Sequence, residues 1–137
     1  MYEKNRGRCD KKCVCVFGEA EKGKHGHPIP CSSLPQLFES VGNPPESSQG
    51  IWFAIQFLSY AQELLFFRVE EEGFSREGYS QGFHFLRNNQ LSYYPSAICL
   101  PGVGDKAIIE ETAPLCAIYR TLIILSEKDL YDYTASG

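Results

Sequence analysis

Residues 50–67 read GIWFAIQFLSYAQELLFF, the most apolar stretch of the chain, and any fold must first accommodate this run. It is near the lower length limit for a membrane span, which needs about 20 mostly apolar residues. It also carries Gln56, Ser59, Gln62 and Glu63. A carboxylate at that depth is expensive in lipid, so the sequence predicts no membrane span and a run buried in a protein core. From 51 to 63 the polar groups recur at three-to-four-residue spacing, which is one polar stripe on an otherwise buried helix. The run ends in ELLFFRV, rich in aromatic and branched side chains, which suits a strand.

A core able to absorb such a run is within reach of this chain. It has 137 residues, 43% of them hydrophobic and 13% aromatic, enough for one domain stabilised by apolar burial without covalent staples. Ahead of the run, Ser33 is placed to cap a short helix with Pro35 in its first turn and Gly42 at its end. The segment NPPESSQG, 43–50, reads as a turn.

Beyond the run, residues 64–100 read as an antiparallel sheet. In YSQGFHFL, Tyr79, Gln81, Phe83 and Phe85 alternate with Ser80, Gly82, His84 and Leu86. Gly78 and Gly82 would each cost a helix about 1 kcal/mol. A rival reading, a mainly α bundle, runs helices through 47–72 and 76–92. Asp105 is a helix cap, and 115–125 fits a helix or a strand equally. The expected fold is a single small α+β domain: an antiparallel sheet from 64–100, packed by helices from 34–42, 47–63 and part of 105–130. Residues 1–31 form a separate Cys/His-rich segment, and 32–137 the globular domain.

That N-terminal segment holds the densest chemistry. Cys9, Cys13, Cys15, His25, His27 and Cys31 fall within 23 residues. If 13–17 is a strand, Cys13 and Cys15 share one face. If 24–28 is its hairpin partner, His25 and His27 share that face too. Four side chains would then project from a patch of about 5 by 7 Å, and two thiolates with two imidazoles make a structural zinc set. Cys9 or Cys31 could replace one member. The spacing is not that of a zinc finger, whose histidines lie three to five residues apart.

The N-terminus MYEKNRGRCDKKC shows no apolar run before a small-residue cleavage site. Six cysteines in such a chain point to a reducing, cytoplasmic compartment. Residues 1–28 carry seven basic and four acidic side chains, a net charge of +3, and residues 29–137 carry six and thirteen, a net of −7. A basic arm can bind nucleic acid, but +3 is a weak footprint beside the basic stripe such binding uses. The arm fits better against its own acidic body, near Glu70, Glu71 and Glu72.

No catalytic motif is present, and PGVGDK contains G-x-G but lacks the G-K-S/T ending of a phosphate loop. Cys99 and Cys116 read as core thiols. The leading expectation is a non-enzymatic interaction or regulatory protein whose N-terminal segment is held by zinc. Trp52, Tyr93, Tyr94, Tyr131 and Tyr133 are candidates for a surface facing a protein partner or a second copy. Two alternatives stand beside it: a small enzyme with an acid/base or thiol site around His84, and nucleic-acid binding through the basic arm.

Overall fold

The structure, a computed structural model, describes residues 12–60, 63–88 and 93–125. Among these, five strands form one mixed sheet in the order β2-β3-β1-β4-β5. The strands are β1 (Lys12–Gly18), β2 (Pro28–Cys31), β3 (Glu63–Arg68), β4 (Tyr94–Cys99) and β5 (Leu122–Ile124). The helices are α1 (Leu34–Val41), α2 (Gly50–Leu58), α3 (Arg76–Asn88), α4 (Lys106–Glu110) and α5 (Ala113–Tyr119). The chain forms a small α+β domain, as its sequence leads one to expect.

The sheet is not antiparallel. β1 runs parallel to both β3 and β4, β4 runs parallel to β5, and only β2 runs antiparallel, to β3. The cause is visible in CVCVF and LLFF. Both runs are apolar at every position, as strands covered on both faces must be, and a parallel sheet is such a structure. Six of the seven β1 residues are buried. Cys13, Cys15 and Phe17 pack on one face against Tyr79, Phe83 and Leu86 of α3 and Leu115 of α5. Val14 and Val16 pack on the other face against Leu37 and Val41 of α1 and Ile51 and Ala54 of α2.

β1 does not form a hairpin with 24–28. Residues 28–31 pair with β3 instead, so from residue 12 onward the N-terminal segment supplies the central strand and one edge of the sheet. At that edge Pro28 and Pro30 flank Ile29. Proline has no N–H to offer a further strand, and this blunts the edge.

Residues 76–88 form a helix rather than a strand. Tyr79, Gly82, Phe83 and Leu86 face the sheet at helical spacing. Both glycines serve that contact. A side chain at Gly82 would overlap the Phe17 ring, and one at Gly78 would press on Val69. The intrinsic cost of glycine in a helix is offset by the approach it permits: Phe17 stacks on Phe67 at 4.6 Å and on Tyr79 at 5.4 Å between ring centres.

The other helix signals read true. Ser33 Oγ accepts from the Gln36 N–H at 3.3 Å, and the Gly42 N–H closes α1 on the Phe38 carbonyl. Asp105 accepts from the Ala107 N–H at 2.8 Å. Pro114 lies in the first turn of α5. Residues 115–125 contain both proposed structures, the end of a helix and then a strand, joined through Arg120 at φ 57°. The apolar run divides into α2 and β3, and no helix among the described residues is long and apolar enough to cross a membrane.

Candidate functional site

The described members of the cysteine–histidine set are not brought together. Cys13 and Cys15 do share a face, as the alternation predicts, but that face lies in the core. Cys31 is buried on the opposite side of the sheet. His25 and His27 are exposed in the loop before β2. Cys9 lies outside the described residues. Among the described residues no group of three or more His, Cys, Asp or Glu side chains is placed to hold a metal ion. Burial pushes the Cys15 thiol upward, Cys31 to about 11 and Cys99 to about 12, whereas the hydrogen bond with Cys15 pulls Cys13 below its ordinary value. A thiol must ionise to ligate metal. Cys99 is a core thiol as expected, whereas Cys116 is half-buried.

His84 stands exposed on the outer side of α3. Its ring nitrogens face the Asn88 amide at 2.9 Å and Arg87 at 3.4 Å, rather than a carboxylate or a thiol.

Of the aromatic candidates, Tyr93 and Tyr94 are partly buried and belong to the core periphery. Tyr93 packs on Phe85, and Tyr94 meets Tyr119 edge-on at 5.4 Å. Tyr131 and Tyr133 lie outside the described residues. Trp52 is different. It is 57% exposed and lies on α2, whose sequence GIWFAIQFL contains one polar side chain, Gln56. Ile51, Ala54 and Leu58 cover the sheet, while Phe53, Ile55 and Phe57 are only partly covered. With Gln49 and Gln56, Trp52 and Phe53 line a surface cavity of about 450 Å³.

α2 is held in place at its N-terminus by a carboxylate from another part of the chain. Gln49 offers no side-chain cap. Glu72, beyond β3, accepts instead from the Gln49 N–H at 2.6 Å, the Gly50 N–H at 3.0 Å and the Glu19 N–H at 3.2 Å. Glu19 returns the bond, accepting from the Glu72 N–H at 2.9 Å. A carboxylate is well placed there, where unsatisfied N–H groups and the helix dipole converge. Burial nevertheless lifts the Glu72 carboxyl above its ordinary value, against the three N–H bonds that pull it down. The backbone is equally close: a side chain at Gly18 would overlap Gly50. The end of β1 and the start of α2 therefore form one rigid joint. The sequence marks Glu70, Glu71 and Glu72 only as an acidic patch for the N-terminal arm and does not show this role, because the partners come from distant segments.

A second cavity, about 430 Å³, opens beyond the C-terminal end of β3. Arg68, Arg76 and His25 line it, and so do Glu70 and Glu77. Its two guanidinium groups already have partners, Arg68 on the Gly23 carbonyl at 2.7 Å and Arg76 on Asp105 at 3.0 Å. Its formal charges cancel.

Compared with protein families, curated proteins and solved structures, the chain matches none.

Proposed function

We propose that this is a non-catalytic interaction domain that binds a protein partner through the outer face of α2. One observation carries the reading: a helix with a single polar side chain in nine packs only one of its faces on the sheet. A helix that is apolar all round is normally covered all round, and an exposed tryptophan on such a helix is the commonest kind of binding anchor. The Glu72 joint supports the same reading. A helix fixed at its N-terminus by two charge-assisted bonds, to a carboxylate also bonded at the end of β1, loses little freedom on binding, and that favours affinity. Zinc has no part in this proposal, since Cys13, Cys15 and Cys31 lie within the core while His25 and His27 face solvent. The nucleic-acid alternative rests on the arm, four of whose seven basic side chains lie outside the described residues.

The test is a photo-crosslinking amino acid placed at Gln56, beside Trp52, and separately at Glu111 on the opposite helical layer. Expressed in the cells that make the protein, the Gln56 variant is expected to give a discrete adduct that disappears when Trp52→Ala is added. Adducts from Glu111 alone would reject α2 as the contact surface.

A further inference from the structure

The charge around α2 narrows what can bind there, and this step rests on the interaction reading above. From Pro28 to Phe67 there are forty residues without a lysine, arginine or histidine. The charged side chains in that stretch are Glu39, Glu46 and Glu63. It builds the whole α1–α2 layer. Glu39 is exposed on α1, and Glu46 is exposed in the turn that leads into α2. The opposite layer is balanced: residues 76–120 carry four basic and four acidic side chains. Lys22 meets this layer at the end of α1, where its N–H bonds the Val41 carbonyl, beside Glu21, whose carboxylate accepts from the Asn43 N–H; α1 and α2 themselves carry no cation.

We propose that the α2 face receives a basic amphipathic peptide segment of a partner protein, its apolar side on Trp52 and Phe53 and its lysines or arginines toward Glu39 and Glu46. Complementary charge selects among occupants mostly by penalising like-charged ones. A second copy would bring Glu39 and Glu46 toward the same glutamates of its neighbour. An anionic lipid surface calls for basic side chains, and α1 and α2 have none. An apolar segment with flanking cations meets neither obstacle, and helix-in-groove docking of this kind reads as anchors on one stripe of the partner.

The experiment uses the full chain and its single tryptophan, which reports from the site itself. Two designed amphipathic helical peptides of equal length share one apolar face. One carries lysine and the other glutamate on the polar face. The lysine peptide is expected to shift Trp52 emission to the blue saturably, to bind about tenfold tighter than the glutamate peptide, and to weaken with added salt. The double variant Glu39→Gln, Glu46→Gln is expected to narrow that preference. With a fluorescently labelled lysine peptide read by anisotropy, Trp52→Ala is expected to abolish binding. Equal binding of both peptides would overturn the charge assignment and leave α2 standing as a docking face. No saturable binding of either peptide would overturn both readings. A blue shift produced by raising the protein concentration alone would identify a second copy as the occupant. A shift produced by vesicles of anionic lipid would identify a membrane surface. Each of these last two results would also overturn the proposal.

Discussion

Gly82 and Glu72 show how far single positions decide this fold. Alanine is the better helix former by about 1 kcal/mol, yet Gly82→Ala puts a methyl group into the Phe17 ring. Overpacking a filled core costs about 1–3 kcal/mol. The variant is therefore expected to unfold at lower urea than wild type, and an increase in midpoint would show that α3 can lift off Phe17 freely. Glu72 predicts a pH dependence. Burial raises its folded pKa above the ordinary 4.5, so the folded chain favours the protonated form. The stability gained is complete below the unfolded pKa and is lost as pH rises through the folded one. Relative to Glu72→Gln, which cannot titrate, wild type is expected to lose stability as pH climbs from about 4.5 toward neutrality. Paired urea titrations across that window check this, and wild type gaining on the variant would refute it. At neutral pH, Glu72→Ala strands three N–H groups and is expected to cost about 1–3 kcal/mol.

At the scale of elements, α2 separates stability from recognition within two adjacent residues. Ile51 is fully buried and Trp52 is mostly exposed. Ile51→Ala is expected to cost about 2–5 kcal/mol, whereas Trp52→Ala should change stability by no more than about 0.5 kcal/mol, measured by denaturation of both. An equal loss from both would mean that Trp52 is a core residue. The elements also show what was legible in the sequence. α1 was readable because Ser33, Pro35 and Gly42 act within one turn of the helix they bound. The shared face of Cys13 and Cys15 was readable because alternation is a property of the strand alone. Their distance from His25 and His27 was not, because pairing is decided by segments far apart: β1 found Glu63–Arg68 and Tyr94–Cys99, and the histidine loop was left outside. α3 was misread because its glycines count against a helix by propensity and for it by packing, and only the packed structure shows Phe17 beneath Gly82. Trp52 was singled out from sequence as a surface candidate, while Tyr93 and Tyr94, adjacent and equally aromatic, became periphery of the core.

The described molecule is two apolar layers on the two faces of one sheet, and β1, β3 and β4 each serve both. β1 gives Cys13, Cys15 and Phe17 to one and Val14 and Val16 to the other, so neither layer can lose its packing without exposing the back of the other. Unfolding is therefore expected to be cooperative across the sheet. Trp52 reports from one layer, and Tyr79 and Tyr119 from the other. Tryptophan emission and tyrosine near-ultraviolet dichroism should give superimposable urea transitions, the usual sign of a two-state domain. Separate midpoints would mean that the layers melt independently.

The central strand of the sheet is also the first described element of the chain, and this bears on how the protein is made. Cys13 lies opposite Glu63 and Lys12 opposite Tyr94. A ribosome adding about 5–20 residues per second would leave CVCVF without its first neighbour for roughly 3–10 s, and without its second for longer. Through that interval the most buried strand of the finished protein is a bare apolar segment on a growing chain. It is the kind of sequence that chaperones hold, and its birth order, rather than its final stability, sets how much the nascent protein depends on them.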